Sequence, residues 1–381
     1  MEQEETPRIL NKEVVLLVGL ALAAVGVFLF TKRMAAREQR LEGQLAAIWY
    51  QQGQQLIRSG EAEKAIRSFR QAIAHARENR KYSLALADAL AAGKHDAEAQ
   101  QLLLRLRESD PENAEINIRL ARIASRRGEV SDAVHYYQNA LYGRWTGNEV
   151  DEQRRQLRIE LIRFLLDHEQ QNRAVSELLI LETEPPDSAS SRVETAKLFL
   201  QAGDLQHALK NYVAAIQLDG HDVEALTGAG ETSFQLADYA KASHYLKMSL
   251  EVSPKSANTR HLLSLAEMVL AQDPLVPHLT SKERQSRLVL GFERSLERLQ
   301  NCLSQTSNDQ TTAELQSLKA EALAMGPTLN KRNNPPDSDL VRSGLGLMLK
   351  MQRATAASCG EPPVSDQALL LIGIKHNGAR P

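Results

Sequence analysis

Cysteine, aromatic residues and an excess of either charge are scarce in this sequence, and each scarcity excludes a class of protein. The 381 residues contain two cysteines, too few for a disulfide-rich scaffold or for a zinc site of four cysteines. Aromatic residues make up 4% of the chain, and 46 basic against 48 acidic residues give a net charge of −2. Nucleic-acid binding usually needs a basic surface or a stacking platform, so we expect no nucleic acid among the partners.

Motifs that hold cofactors or carry out catalysis are also absent. The segment GAGETS at 228–233 has glycines spaced as in a dinucleotide loop, but no strand pattern precedes it. AAGKHD at 91–96 lacks the flanking residues of a phosphate loop, and no two histidines have metalloprotease spacing. We therefore predict a protein that is not an enzyme and that uses neither a cofactor nor a metal ion.

One long apolar run begins at Val14. Residues 14–30, VVLLVGLALAAVGVFLF, contain no charged side chain, and Thr31 extends the run. A helix of this length spans roughly 26 Å, close to the thickness of a bilayer's hydrocarbon core. A cleaved signal peptide is the alternative, but basic residues occupy the place of a cleavage site. We predict an N-terminal tail (1–13), an uncleaved anchor in the lipid bilayer (14–31) and a juxtamembrane linker (32–45).

The charges that flank this run bear on its orientation. Two basic side chains precede it, and four follow it, at Lys32, Arg33, Arg37 and Arg40. Cytoplasmic flanks carry the excess of Lys and Arg, so the count favours the cytoplasmic side for the rest of the chain. The margin is two charges, and the extracytoplasmic side stays open. We expect a single-pass protein of the cell membrane.

A related phrase occurs three times along the chain: GEAEKAIRSFRQAI at 60–73, GEVSDAVHYYQNAL at 128–141 and GDLQHALKNYVAAI at 203–216. The interval from Gly60 to Gly128 is twice a period of about 34 residues, which is typical of stacked supersecondary units that share a continuous core. The interval from Gly128 to Gly203 is two such periods with seven positions added. The added positions fall near 142–153, where we expect a longer loop.

Each period places small and large residues in a pattern that resembles the tetratricopeptide repeat family. One unit, for example, supplies Leu120, Ala121, Gly128, Ala133 and Tyr137. The resemblance implies two antiparallel helices in each repeat, a glycine turn between them, and a concave groove that binds an extended peptide or a partner helix. The α-solenoid is expected over 46–271, with units near 46–79, 80–113, 114–154, 155–188, 189–222 and 223–256 and a capping helix at 257–271.

The period is lost after residue 271. An amphipathic helix is predicted over 281–303, a second is expected to end at Gly326 and Pro327, and a third is expected from Asp339 to about Ser358. A short apolar segment follows at 367–374. The predicted fold is therefore all-α: one transmembrane helix, about six repeats and a small helical C-terminal domain (272–381).

Two groups of residues are candidate sites. The register of the repeats aligns four cations on the groove face, which we predict to bind an acidic segment of a partner: Arg122, Arg126, Arg163 and Lys197. An ordinary solvated face is the alternative interpretation. Cys302 and Cys359 each lie near the end of a predicted tail helix, so they can form a disulfide; two unrelated buried thiols are the alternative.

These features support three hypotheses of function. The first is a membrane-anchored scaffold for protein–protein interaction, in the assembly of an envelope or secretion complex. The second makes the tail a thiol or enzymatic module to which the repeats recruit a substrate. The third is self-association, for which the span offers small residues at Gly19, Ala23 and Gly26.

Overall fold

The structure is a computed structural model that describes residues 8–184, 188–305, 309–330 and 337–377. These residues form seventeen helices with no β-strand among them, so the predicted all-α class is confirmed. The predicted tail at 1–13 lies partly outside this range. The helices are α1 (Arg8–Arg58), α2 (Ala62–His75), α3 (Arg80–Ala92), α4 (Asp96–Ser109), α5 (Ala114–Arg126), α6 (Val130–Tyr142), α7 (Val150–Asp167), α8 (Gln171–Leu181), α9 (Ala189–Gln201), α10 (Leu205–Leu218), α11 (Val223–Gln235), α12 (Tyr239–Val252), α13 (Ala257–Gln272), α14 (Ser281–Gln305), α15 (Asp309–Leu329), α16 (Ser338–Cys359) and α17 (Val364–Asn377).

The chain divides into two compact units between Phe164 and Leu165, within α7. In the first unit, helices that follow each other pack as pairs: α1 with α2, α3 with α4, and α5 with α6. In the second unit, α9 packs on α10 and α11 packs on α12 in the same way. Successive helix pairs of this kind are what the period of the sequence predicts.

Side-chain caps start the first helix of several pairs at a constant spacing. The caps accept a backbone N–H of the helix that follows, and they are Asn79, Asn113, Ser188, Asp222 and Ser256. Neighbouring caps are one period apart, except across the insertion between Asn113 and Ser188. Each cap satisfies a helix N–H that has no partner within the helix and contributes about 1 kcal/mol.

A residue with positive φ follows the first helix of each pair. The predicted glycines, Gly60, Gly128 and Gly203, have φ values of 78°, 72° and 79°. Residues with side chains adopt the same conformation in the other turns, at Lys94, Glu169 and Ala237. The next residue donates its N–H to the carbonyl five positions earlier, as Glu61 does to Leu56 at 2.9 Å. This bond closes a Schellman turn, which ends the helix and starts the next one at a fixed angle.

Small residues lie where neighbouring helices cross, both within a pair and between successive pairs. A Cβ atom built on Gly53 would come within 2.6 Å of the Phe69 ring, and one on Gly228 within 2.4 Å of the Tyr212 ring. Each ring therefore occupies the space that a glycine on the facing helix leaves open. This contact explains why the pattern pairs a small residue of one helix with an aromatic residue of the next.

The apolar run continues into the first repeat without a break in the helix. Its C-terminal part packs on α2, where Ala46 is fully buried, whereas residues 14–41 are exposed. The stretch that begins at Val14 is long and apolar enough to cross a membrane. The apolar run and the repeat thus belong to one helix of 51 residues.

The predicted insertion is divided between a loop and a longer helix. The loop at 143–149 pairs with the turn before α5, because Arg144 donates its N–H to Glu112 at 2.7 Å and accepts from Ala114 at 3.1 Å. The helix α7 has 18 residues, against 13 for α5. The longer loop is confirmed, but its last residues form the first turn of α7.

The tail helices share one core with the last repeat helices. Buried residues of α12 and α13, such as Leu246 and Val269, belong to the same cluster as Phe292, Leu345 and Ile372 from α14, α16 and α17. The tail is therefore packed as a continuation of the helical array within the second unit.

The prediction that the second tail helix ends at Gly326 and Pro327 was wrong. Helix α15 continues through Pro327 to Leu329. Leu329 is 1% exposed, and its carbonyl accepts a hydrogen bond from Gln285 at 2.9 Å. Burial of Leu329 stabilises the last turn, which outweighs the backbone hydrogen bond that a proline cannot donate.

Candidate functional site

The first unit contains an open groove with a volume of about 670 Å³. It is formed by the first helix of each of three successive pairs, together with Phe69 from α2 and Thr146 from the insertion loop. Helix α1 contributes Tyr50, Gln54, Ile57 and Arg58; α3 contributes Arg80, Lys81, Leu84, Ala85 and Asp88; and α5 and the turn before it contribute Asn113, Glu115 and Arg119. The groove lies on the surface formed by the first helices, where the repeat pattern predicts partner binding.

Aromatic side chains form one wall of the groove. The ring of Tyr50 lies 5.7 Å from that of Phe69 and 4.8 Å from that of Tyr82, measured between centroids. Gln54 donates a 2.7 Å hydrogen bond to the Tyr50 hydroxyl, and the Lys81 ammonium lies 5.0 Å above the Tyr50 ring. The ring is thus fixed on several sides and offers a rigid apolar contact to a bound chain.

Ion pairs between neighbouring repeats fix the polar edge. Arg119 on α5 binds Asp88 on α3 through two hydrogen bonds of 2.8 and 2.9 Å. Arg80 binds Asp110 at 2.7 Å. In the ion pairs of the described residues, neither Arg58 nor Lys81 has a carboxylate partner. The groove therefore presents two cations beside its aromatic wall.

The predicted cationic strip is distributed over both units. Arg122, Arg126 and Arg163 lie in the first unit and Lys197 lies in the second. Arg126 binds Asp96 on the preceding helix at 2.5 Å, and Lys197 forms an ion pair with Glu224. Arg163 is exposed on α7. These pairs connect neighbouring helices, so part of the positive charge in the strip is already neutralised.

Arg122 forms an ion pair with Glu160 that is supported by several hydrogen bonds. It donates to both carboxylate oxygens of Glu160, and the Tyr137 hydroxyl donates to the same carboxylate at 2.8 Å. Burial alone would raise the pKa of Glu160, but the hydrogen bonds from Arg122 and Tyr137 lower the pKa below its ordinary value. The hydrogen bond to Glu160 raises the pKa of Arg122. Both charges therefore persist at neutral pH and hold α5 to α7.

The register identified part of the groove and missed the rest. The position after the small crossing residue is Gln54 in the first repeat and Asp88 in the second, and both line the groove. In the third repeat the groove uses Arg119, one helical turn before Arg122. Applying the one-turn spacing in both directions from Arg122 would have found Arg119.

In the second unit, Cys302 and Cys359 form a disulfide with Cα atoms 5.8 Å apart. A polar cavity of about 370 Å³ adjoins it. Arg298 lines this cavity and binds the Thr355 hydroxyl at 3.1 Å and the Gly360 carbonyl at 2.9 Å. The arginine thereby closes the turn that follows α16.

Comparison with known proteins places the repeats in a family. Profiles described as tetratricopeptide repeat match residues 56–116, 97–149 and 193–257. Cellulose synthase operon protein C of Komagataeibacter sucrofermentans is 33% identical over 89 residues, which is 23% of this chain and 7% of that protein. The protein of the same name from Komagataeibacter xylinus is 32% identical over 74 residues, 19% and 6% of the two chains. This chain thus spans less than a tenth of the length of these relatives.

Solved structures with a similar arrangement of helices include two bacterial proteins. The C-terminal part of a repeat-containing protein from Cytophaga hutchinsonii is 14% identical, with a TM-score of 0.45 over 63% of this chain and 98% of that one. PilF of Pseudomonas aeruginosa is 16% identical, with a TM-score of 0.39 over 58% and 98%. The profile matches, together with the repeated helix pairs, show that residues 56–149 and 193–257 of this chain consist of tetratricopeptide repeats.

Proposed function

We propose that this protein is a membrane-anchored, non-enzymatic scaffold whose groove in the first unit binds an extended segment of another protein. The groove itself is the observation that carries the proposal. Its aromatic wall around Tyr50 accepts an apolar side chain, and its polar edge offers partners for a bound main chain. Tetratricopeptide repeats act as protein-interaction scaffolds, and the apolar start of α1 supplies the anchor.

An acidic segment is the partner chemistry that fits the groove best. Lys81 lies over the Tyr50 ring and Arg58 lines the same groove, both without a carboxylate partner among the described ion pairs, so a bound carboxylate would meet two available cations. Arg122, Arg126 and Arg163, the strip residues of the first unit, would extend this contact, provided that the acidic segment displaces the present partners. Displacement costs the existing ion pairs, so the strip contributes less than Arg58 and Lys81.

Photo-crosslinking in membranes tests the groove. A photoreactive residue in place of Ala85 should capture a partner, and Arg58→Glu with Lys81→Glu should abolish that capture. Arg67→Glu with Arg105→Glu is the matched control, because both arginines are exposed on second helices, outside the groove. Equal capture by both double variants would show that the groove cations do not bind the partner.

The strip requires a separate variant. Reversal of Arg122 and Arg163 to glutamate should weaken capture at Ala85 without abolishing it. Unchanged capture would remove these residues from the proposed site and leave the groove proposal intact.

The disulfide favours the extracytoplasmic side for the repeats, whereas the small excess of basic residues after the span favours the cytoplasmic side. Disulfides persist in oxidising compartments, whereas a margin of two charges orients a span only weakly. This location agrees with a role in assembling an envelope or secretion complex. A membrane-impermeant alkylating reagent tests it on intact cells. Labelling of Cys302 and Cys359 only after reduction supports the location; labelling only after lysis, without a reductant, contradicts it.

A thiol-exchange function of the tail is the second candidate, because a polar cavity adjoins the disulfide. Cys302 is 3% exposed, so only Cys359 is accessible to another thiol. Reduction of insulin by the prereduced protein tests this function. Activity that disappears in Cys359→Ser would support it, and no activity above background would exclude it.

A further inference from the structure

An apolar stripe runs along the part of α1 that precedes the first repeat. Met34, Leu41, Leu45 and Ile48 are 52%, 53%, 43% and 59% exposed, although all four are large apolar side chains. They are separated by seven, four and three residues, which places them on one face of the helix at heptad spacing. Helix α2 packs against a different face, where Ala46 is fully buried.

The same spacing continues back into the apolar run. Extending the heptad toward the N-terminus reaches mostly apolar residues at every seam position: Leu17, Leu20, Ala24, Val27 and Thr31. The seam of α1, meaning these nine residues together with Glu38, therefore covers residues 17–48 without a change of register. A strict seven-residue repeat over this length is typical of helices that pair along their whole length.

The lipid surface cannot cover the outer part of this seam. Because α1 is one continuous helix, it leaves the membrane along its own axis. At 1.5 Å per residue, Ile48 lies about 25 Å beyond Thr31, well outside the headgroup region. Leu41, Leu45 and Ile48, the outer three residues of the stripe, therefore need a protein partner.

The charges beside the seam fit a second copy of this chain. Two copies inserted with the same topology must run parallel at the same depth, so each seam position meets its own counterpart. In that arrangement Arg37 of one copy lies beside Glu42 of the other, five residues further along, where parallel coiled coils form ion pairs. Glu42 also contacts His75 at 2.5 Å and keeps 46% of its side chain exposed, so it remains accessible.

We infer that α1 forms a parallel two-stranded coiled coil with a second copy of this chain, through the seam from Leu17 to Ile48. The inference rests on the proposed membrane anchor for the parallel orientation. Glu38 is the one charged seam residue, and a polar residue at a core position lowers stability while fixing the register. The dimer would carry two grooves on one anchor, which strengthens binding of a partner with two acidic segments.

Cysteine cross-linking of the full chain in its own membranes tests the coiled coil. Met34→Cys and Leu41→Cys should each give an oxidised product of twice the 42.3 kDa chain mass. Ala36→Cys and Gly43→Cys are matched controls on the opposite face, and the chain without an added cysteine gives the background. Equal cross-linking at all four positions, no dimer at any of them, or a product with a protein of another mass would overturn the inference.

Four further variants probe the seam itself. Leu41→Glu should abolish the dimer, and Glu38→Leu should increase its fraction. Arg37→Glu should decrease it, and adding Glu42→Arg should restore it; no response to any of these changes would overturn the proposed register. Extraction of the membranes with carbonate separates this inference from the anchor: a chain that is released but still cross-links at Leu41 retains the coiled coil and lacks the anchor.

Discussion

Replacing Gly60 by alanine should destabilise the first unit through backbone strain alone. Gly60 has a φ of 78°, which L-residues with a side chain rarely adopt. A Cβ atom at this position would meet nothing within 4 Å. Packing is therefore unchanged in Gly60→Ala, and any loss of stability must come from the left-handed conformation.

Two opposing terms set the size of the effect. An L-residue with a Cβ atom loses about 1–2 kcal/mol in the left-handed region. Alanine also restricts the unfolded chain, which stabilises the protein by about 0.4–1 kcal/mol. The difference predicts a net loss of about 1 kcal/mol. The reverse change at an equivalent turn, Lys94→Gly, should give a gain of similar size, because Lys94 has a φ of 63° and an exposed side chain.

Urea unfolding of the detergent-solubilised protein measures both changes as shifts of the midpoint. Gly43→Ala is the matched control: Gly43 is also open to solvent, but it lies inside α1, where alanine favours the helix by about 0.5–1 kcal/mol. Gly60→Ala should therefore lower the midpoint and Gly43→Ala should raise it. If both alanines raise the midpoint, or if Lys94→Gly lowers it, the positive φ does not limit stability at these turns and the prediction is refuted.

Further predictions concern the second unit. Asp273 is fully buried and binds Lys375 at 3.0 Å and His376 at 2.9 Å, so Asp273→Asn should cost about 3 kcal/mol of unfolding free energy, measured by urea denaturation. Burial alone would raise the pKa of Asp273, but the hydrogen bond with His376 and other contacts lower it below its ordinary value of 3.8. The stabilisation by the Asp273 carboxylate is therefore present above pH 3.8 and is lost as the pH falls through the lower folded-state pKa. Asp273→Asn should accordingly show a weaker loss of stability in acid than the unchanged chain. Cys359→Ser opens a link across 57 residues at an exposed position, so it should cost about 4 kcal/mol under oxidising conditions and nothing measurable in excess reductant, as calorimetry can show.

The repeats could be predicted from the sequence because their signals are local and periodic. A capping residue such as Asn113 and a turn residue such as Gly128 act within a few positions of the chain, so each can be identified from its neighbours. The period then predicts the positions of turns that carry no recognisable turn residue. Lys94 carries no turn signal, yet it lies one period after Gly60 and adopts the same positive φ. Tertiary packing overrides its local preference.

The groove was harder to predict because its chemistry depends on pairs of residues that lie about one period apart. Arg119 and Asp88 are separated by 31 residues, and Arg126 and Asp96 by 30. An arginine that has no acidic neighbour in the sequence can therefore form an ion pair in the fold with a carboxylate of the next or preceding repeat.

The insertion shifts these pairings by a defined amount. Arg122 and Glu160 are 38 residues apart, which is the 31-residue separation of Arg119 and Asp88 plus the seven inserted residues. The insertion therefore preserves the contact between neighbouring repeats and changes only the distance along the chain. These ion pairs, and not the number of basic residues, determine which cations stay available to a partner. Arg58 lies at the end of α1, the helix that begins with the apolar run, and Lys81 lies on α3 of the next repeat. Both therefore remain available to the acidic segment proposed above.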